Sequence, residues 1–205
     1  MARYMERAEN LARILGVHEA FSRSSDGGKN WYPVVQLNGD VKRFFSRYPT
    51  PSTENVLNFY ILDAQNESSI IFAIRAAREN ARTMRPWIST EMWQQINVFY
   101  NDLLTWTPES IALPNLSRAC ATIKEECQTH TGITEGTFYR DEGWFFYRLG
   151  KAIERADQTT RLLDLEFNNL LPRQFDAEDS LDFRRHGPRP PDLGIEHGHA
   201  FAPRD

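Results

Sequence analysis

Apolar side chains recur along this chain at intervals of three and four residues, and this spacing constrains the fold more than any other feature. Near the start, one stripe of a helical wheel is apolar throughout: Tyr4, Ala8, Leu11, Ala12 and Leu15. Segments with the alternating polarity of a strand are almost absent. The best candidate, residues 31–37, contains Pro33, which cannot donate a ladder hydrogen bond. The sequence therefore predicts an all-α fold, a multi-helix bundle without a sheet.

Breaking and capping residues divide the chain into predicted helices. Four helices are preceded by a short polar side chain that can accept hydrogen bonds from the free N–H groups of a first turn. These capping candidates are Ser52 or Thr53, Asn66, Ser89 and Asp141. Gly132 predicts a loop. The predicted helices span residues 1–22, 41–47, 56–62, 67–84, 89–106, 115–128 and 142–171.

The composition changes at Pro172. Five prolines occur from there to the end, and the apolar residues among them show no period. Such a segment cannot bury enough apolar surface to offset the entropy lost on ordering. We therefore expect a helical domain over residues 1–171 and a disordered tail over residues 172–205. Glu196, His197 and His199 could bind a metal weakly, but a tail with incidental histidines is the favoured interpretation.

Charge and hydropathy argue against two classes of partner. The net charge is −4, so no strong positive field favours nucleic acid. The first residues are charged where a secretory signal needs an apolar segment, and the longest apolar runs are too short to span a bilayer. We expect a cytoplasmic protein that binds neither membranes nor nucleic acid.

The cysteines indicate neither a disulfide nor a metal site. On one helix, Cys120 and Cys127 lie about 10 Å apart along the axis, which is too far for a disulfide. Zinc would need further ligands, and His130 alone does not complete a site. No phosphate loop, dinucleotide fingerprint or nucleophile elbow occurs. The sequence predicts no metal and no cofactor.

One charged pattern occurs near both ends of the predicted helical domain. Residues 3–13 read RYMERAENLAR and residues 151–161 read KAIERADQTTR, so Glu, Arg, Ala, an acid and a final Arg occupy the same slots. A looser version, RENAR, occupies residues 78–82. Together with one further arginine, these copies provide the candidate network or binding residues: Glu6, Arg7, Glu9, Arg13, Arg78, Glu79, Arg82, Arg148, Glu154, Arg155, Asp157 and Arg161.

The positions of these charges on the helical wheel allow two interpretations. In each full copy, the acids and the final arginine lie opposite an apolar stripe. In the last helix that stripe is Phe145, Leu149, Ala152, Ala156 and Leu163. A solvated face with helix-stabilising pairs explains any single copy. The same order in two copies favours helices that meet and pair Arg with Glu in a part-buried network, in which Glu6 or Glu79 is the partner of Arg155.

The pattern resembles the Alpha-E family. The resemblance rests on RYMERAEN at residues 3–10, RENAR at 78–82, and the segment from Gly143-Trp144 through RLGK and ERAD to Thr160-Arg161. It covers residues 1–171 and identifies them as the N-terminal part of the family's domain, truncated relative to the family and followed by an unrelated tail. It implies a bacterial helical domain named for a Glu-Arg motif. That motif carries over to Glu6 and Arg7, Glu79 and Arg82, and Glu154 and Arg155.

The resemblance also implies a function. Alpha-E proteins are known mainly from gene neighbourhoods with ATP-grasp ligases and transglutaminase-like proteins. We therefore expect an accessory or substrate-binding subunit of an ATP-grasp-linked system that forms peptide or amide bonds, with those two proteins as candidate partners. Arg7, Arg82 and Arg155 would then be anion donors.

The sequence leaves three other functions as alternatives. The chain could be an enzyme in its own right, with Glu6 or Glu154 as general base, although an adjacent arginine lowers a carboxyl pKa. It could also be a purely structural helical interaction module. A carboxylate-bridged metal bundle is disfavoured, because no predicted helix carries the Glu-x-x-His spacing.

Overall fold

The computed structural model describes residues 1–24 and 30–170. Over those residues the chain forms helices and no strand, which confirms the predicted all-α bundle. The helices are α1 (Ala2–Ser24), α2 (Tyr32–Leu37), α3 (Val41–Phe45), α4 (Thr53–Leu57), α5 (Ile70–Thr83), α6 (Thr90–Leu103), α7 (Leu113–Thr137) and α8 (Glu142–Leu170), with a π-helical segment at Asn58–Leu62. None of the described helices is long and apolar enough to cross a membrane. The tail over residues 172–205, predicted to be disordered, lies outside the described residues.

The first compact unit, Met1–Glu166, is built around α1. This helix packs against α5 and α7, and α6 packs against both of those helices. The predicted apolar stripe of α1 is buried, with Ala8, Ala12 and Leu15 inaccessible to solvent. Large aromatic side chains of the short helices and loops extend the core: Trp31, Phe44, Phe59 and Tyr60. The second unit begins at Phe167, and its described residues 167–170 form the end of α8.

Most of the predicted caps form. The side chains of Ser52 and Ser89 accept hydrogen bonds from the backbone N–H groups of the third residues of α4 and α6. Asp141 does the same for the first turn of α8, at 2.9 Å from the Gly143 nitrogen. The strand candidate at residues 31–37 contains α2, and Pro33 lies in its first turn, where a missing N–H is not a loss.

One predicted cap is wrong. Ser69 caps α5, and Asn66 lies three residues before it. The Asn66 side chain is buried, where it donates to the Phe59 carbonyl at 2.8 Å and accepts from the Ser68 N–H at 3.1 Å. A buried amide must satisfy its donor and its acceptor. That requirement places Asn66 in the turn before α5 and leaves the cap to Ser69.

The end of α7 also differs from the prediction. The helix continues past residue 128 to Thr137, and Gly132 lies inside it. Cys127, His130 and Thr134 are buried along its inner side. Burial of this face outweighs the cost of an internal glycine, which is about 1 kcal/mol relative to alanine.

The face of α8 that carries Glu154 meets the bundle, and the apolar stripe of this helix does not. Trp144, Tyr147 and Glu154 are buried against the bundle. The apolar stripe of α8 is exposed: Phe145, Leu149, Ala152, Ala156 and Leu163. Helical periodicity identified the two faces of α8 and left open which of them meets another helix. The reason for the observed orientation lies in α1, which offers charged partners to the polar face of α8.

Candidate functional site

The dipeptide Glu-Arg occurs twice in the chain, at residues 6–7 and 154–155, and the two copies bind each other. Arg7 of α1 donates to both carboxylate oxygens of Glu154, at 2.7 and 3.2 Å. Arg155 of α8 donates to both carboxylate oxygens of Glu6. The exchange is reciprocal, because each helix supplies the carboxylate for the guanidinium of the other.

A second cation approaches each of these carboxylates. Arg3 donates to Glu154 at 3.0 Å, and the Lys151 ammonium lies 3.6 Å from a Glu6 oxygen. Both cations come three residues before a motif glutamate, which is the signal that would have identified them. Neither was among the predicted site residues. We call these six residues the Glu-Arg clasp: Arg3, Glu6, Arg7, Lys151, Glu154 and Arg155.

The carboxylates of the clasp are buried, whereas most of its cations reach solvent. The side chains of Glu154 and Glu6 are 0% and 4% exposed, while those of Arg3 and Arg155 are 53% and 63% exposed. The interpretation as a solvated face is therefore wrong for both glutamates. A buried carboxylate is tolerated here because two cations compensate its charge.

The electrostatics of the clasp keep Glu154 ionised. Burial acts to raise the pKa of this carboxyl, but the hydrogen bonds and charges of Arg7 and Arg3 outweigh burial and hold the pKa below its usual value. Burial also acts to lower the pKa of Arg7, and Glu154 outweighs it and raises that pKa. At neutral pH both groups stay charged, so Glu154 is a poor proton acceptor.

Two predicted pairs lie within a single helix, next to the clasp. Glu9 binds Arg13 one turn along α1, and Asp157 binds Arg161 one turn along α8. Arg161 also donates to the Asn38 carbonyl at 3.1 Å, which ties α8 to the loop after α2. Glu9 is buried, whereas Asp157 and Arg161 are about two-fifths exposed.

The middle copy of the pattern does not join the clasp. On α5, Arg82 donates to Glu79 at 2.9 Å and Arg78 binds the same carboxylate at 3.2 Å. Arg78 also donates to Asn97 of α6 at 2.6 Å. Glu79 was one candidate partner of Arg155, and that alternative is wrong. The remaining predicted residue, Arg148, lies over the ring of Trp144 on α8.

Two polar clefts flank the contact between α1 and α8, and Gln158 lines both. One has a volume of about 410 Å³ and lies beside Glu6 and Arg155. The other has a volume of about 170 Å³, and its walls carry three guanidinium groups and two carboxylates: Arg7, Arg43, Arg161, Asp157 and Glu67. We call this second space the arginine cleft. A third, mostly apolar groove of about 850 Å³ lies near the starts of α1 and α8.

A buried polar cluster on α7 adjoins the clasp, and the sequence pattern did not reveal it. Lys151 donates to Thr131 at 3.2 Å and so connects the clasp to α7. His130 is fully buried, and its Nδ1 lies 2.9 Å from Gln95 Oε1. Burial, with smaller effects from Lys151 and the N-terminal ammonium, lowers the pKa of His130 to about 4. The imidazole is therefore neutral at neutral pH.

The two cysteines are free and buried. Burial raises the pKa of Cys120 to about 12 and raises that of Cys127 well above its ordinary value. Neither thiol is therefore a thiolate at neutral pH. Within residues 1–24 and 30–170, no group of three or more His, Cys, Asp or Glu side chains is arranged to hold a metal ion.

A double-mutant cycle tests the coupling across the clasp. We expect Glu6→Ala and Arg155→Ala to show a coupling free energy of about 1–3 kcal/mol in urea unfolding, because the Glu6 carboxylate is buried. The cycle of Glu79→Ala and Arg82→Ala is the matched control, since the side chains of Arg82 and Glu79 are 66% and 46% exposed, and its coupling free energy should be about 0–1 kcal/mol. Equal coupling free energies in the two cycles would contradict the view that the buried pair of the clasp is coupled more strongly than an exposed pair.

The comparison with known proteins agrees with this geometry. Residues 1–185 match the model of a family described as a predicted alpha-helical domain with a conserved ER motif. The match extends past residue 171, where the resemblance was expected to end, and so includes the first part of the segment expected to be unrelated. No curated protein and no solved structure matches the sequence. The two Glu-Arg dipeptides hold the first and last described helices together, and the family model covers most of the chain. The chain therefore belongs to the Alpha-E family.

Proposed function

We propose that this protein is a non-catalytic, cytoplasmic subunit of a bacterial ATP-grasp-linked system that forms peptide or amide bonds. In this proposal the protein presents a carboxylate-bearing substrate to an ATP-grasp ligase, with a transglutaminase-like protein as a further partner. The observation that carries the proposal is the reciprocal pairing of the motif glutamates. Each carboxylate is neutralised by two cations, so the motif builds a scaffold and leaves no free base.

An activity based on a motif glutamate is the alternative, and the geometry disfavours it. A general base needs a pKa near the working pH and room to reach its proton. The Glu154 carboxyl has a lowered pKa and accepts hydrogen bonds from two arginines. Glu6 accepts hydrogen bonds from Arg155, and the Lys151 ammonium lies 3.6 Å from its carboxylate. The purely structural alternative remains, and the experiments below separate it from substrate binding.

The arginine cleft is the proposed substrate site. Its walls carry three guanidinium groups, which in the free protein already pair with carboxylates: Arg7 with Glu154, Arg161 with Asp157 and Arg43 with Asp40. A substrate carboxylate would therefore use their remaining N–H donors. Each guanidinium has five N–H donors in a planar fork, and a carboxylate can accept two of them at once. A cleft of about 170 Å³ is smaller than a typical pocket for a whole cofactor, so it suits the carboxylate end of a small substrate.

Arg161 provides the sharpest test of the substrate site. Its side chain is 42% exposed and lies outside the clasp, so Arg161→Ala should change stability little. Loss of a charged hydrogen bond to a carboxylate costs about 1.5–3 kcal/mol, which corresponds to a roughly tenfold to hundredfold weaker affinity. Calorimetric titration with amino acids and short peptides measures this change. Arg82→Ala on α5 is the control and should leave the affinity unchanged.

Reconstitution tests the proposed role. The protein is mixed with an ATP-grasp ligase from the same organism, and ATP-dependent amide formation is measured with and without it. We expect no turnover by the protein alone and stimulation of the ligase that Arg161→Ala weakens. Stimulation that Arg161→Ala leaves intact would favour the structural module. Turnover by the protein alone would contradict the proposal.

A further inference from the structure

Both full copies of the repeated pattern contain a primary amide that the clasp does not use. In RYMERAEN, residues 3–10, Asn10 follows the motif glutamate by four positions, and in KAIERADQ, residues 151–158, Gln158 does the same. Every charged position of the two copies is paired, either between the two helices or within one helix. In the part of the chain that the structure describes, by contrast, neither amide side chain forms a hydrogen bond.

The two amides line one space. Asn10 of α1 and Gln158 of α8 both border the cleft of about 410 Å³ beside Glu6 and Arg155, which we call the amide cleft. Both amide residues are half-buried. Residues four positions apart on a helix lie one turn apart on the same side, so the amides lie one turn beyond the motif glutamates. The clasp therefore fixes the two helices that carry them.

We propose that the arginine cleft and the amide cleft together bind one peptide, with its terminal carboxylate in the arginine cleft and its last peptide group at Gln158. This inference rests on the function proposed above and names the class of substrate: a peptide or an N-acylated amino acid, and not a free amino acid. Gln158 borders both clefts. Its side-chain amide has two N–H donors and a carbonyl acceptor, which complement the C=O and N–H of a peptide group.

The spacing of Gln158 and Arg161 along α8 fits the end of a peptide. The two residues are three positions apart, so their Cβ atoms lie about 5–6 Å apart on one side of the helix. One residue of an extended peptide spans about 3.3–3.6 Å. A ligand whose carboxylate binds Arg161 therefore has its last peptide group within reach of the Gln158 side chain. A free amino acid has an ammonium group at that point, which offers donors and no acceptor.

The amide cleft has room for the residue before that peptide group. Its lining includes two apolar side chains, Ile14 and Leu162, which follow Asn10 and Gln158 by one further turn. A space of about 410 Å³ lies within the size range of ligand pockets. An apolar side chain of the ligand would cover Ile14 and Leu162, and the burial of apolar surface stabilises such a contact. The residue before the last peptide group is therefore apolar.

A peptide and its ester isostere test the role of Gln158. N-acetyl-L-alanine and O-acetyl-L-lactate carry the same carboxylate, and they differ in that an ester oxygen replaces the peptide N–H. In NMR titrations of the full chain, the wild-type protein should bind the amide roughly three- to tenfold more tightly than the ester. Gln158→Met keeps the length of the side chain without its amide and should reduce this ratio to about one. Gln128→Met, on the exposed side of α7, is the matched control and should leave the ratio unchanged.

A pair of longer ligands tests the amide cleft. N-acetyl-L-leucyl-L-alanine should bind about tenfold more tightly than N-acetylglycyl-L-alanine, because only the leucine side chain can cover Ile14 and Leu162. Leu162→Ala should reduce this difference, and circular dichroism verifies that the helices of each variant are intact. Equal affinities for the two ligands in the wild-type protein would overturn the placement of an apolar residue in this cleft.

Arg161→Ala separates this inference from the proposed function. This variant should weaken the binding of the amide and of the ester alike, because both ligands present the carboxylate. If the wild-type protein binds both equally and Arg161→Ala still weakens both, the assignment of a peptide is overturned and the proposed substrate site stands. If the wild-type protein binds neither ligand, the inference and the proposed substrate site are both overturned.

Discussion

Replacing Arg3 and Arg7 together with alanine should lower the free energy of unfolding by about 3–5 kcal/mol. The double variant removes both cations that bind Glu154, whose side chain is fully buried. The carboxylate would then remain in the interior without a counter-charge, or would have to take up a proton. For a domain of this size, the loss corresponds to a thermal midpoint lower by roughly 6–20 °C.

The matched control also removes two arginines. Arg82 binds the half-exposed Glu79, and the exposed Arg118 of α7 donates to the Asn115 side chain at 3.2 Å. Arg82→Ala with Arg118→Ala should therefore cost about 0–1 kcal/mol. Urea unfolding of both double variants measures the difference. Similar losses in the two would mean that the clasp contributes no more than ordinary surface pairs.

The buried histidine should make stability depend on pH within a defined window. The His130 pKa falls from 6.5 to about 4 in the folded protein, so between these values the unfolded chain binds a proton that the folded chain does not. Stability attributable to neutral His130 is complete above pH 6.5 and is lost as the pH falls towards 4. By about pH 5 the loss should be about 2 kcal/mol.

His130→Gln should remove most of this dependence, because glutamine does not titrate and can still form a hydrogen bond with Gln95. Urea unfolding between about pH 6.5 and pH 5 measures the slope, above the range in which most carboxylates titrate. Burial also lowers the pKa of His18, so a smaller slope of the same sign should persist in the variant. The comparison variant is His18→Gln, which should retain the larger part of the pH dependence because it still contains His130. An unchanged slope in His130→Gln would contradict the assignment.

The clasp shows which parts of a site a sequence can reveal. The repeated order of Glu, Arg and Ala was visible because it recurs in two helices, and repetition marked the residues as a set. The choice between Glu6 and Glu79 as partner of Arg155 was not visible. Both glutamates lie in a copy of the pattern, and only the packing of α1 against α5 and α7 decides which one faces α8.

Local chemistry determined the fold class and most helix starts. Ser52, Ser89 and Asp141 cap their helices through interactions within a few residues, and such interactions can be predicted from the sequence. Gly132 and Asn66 were misassigned for the opposite reason. The burial of the inner side of α7 and the hydrogen bond from Asn66 to Phe59 arise from contacts between distant segments, and these outweigh local preference.

The orientation of α8 is the clearest case that only the tertiary structure decided. The sequence by itself determined that this helix has one apolar face and one charged face, because periodicity records what each face carries. It did not determine which face meets the bundle. An apolar face is buried by whichever partner can cover it, whereas Glu154 can lie in the interior only where Arg3 and Arg7 supply its counter-charge. The position of those two arginines on α1 therefore turned the charged face inward and left the apolar face at the surface.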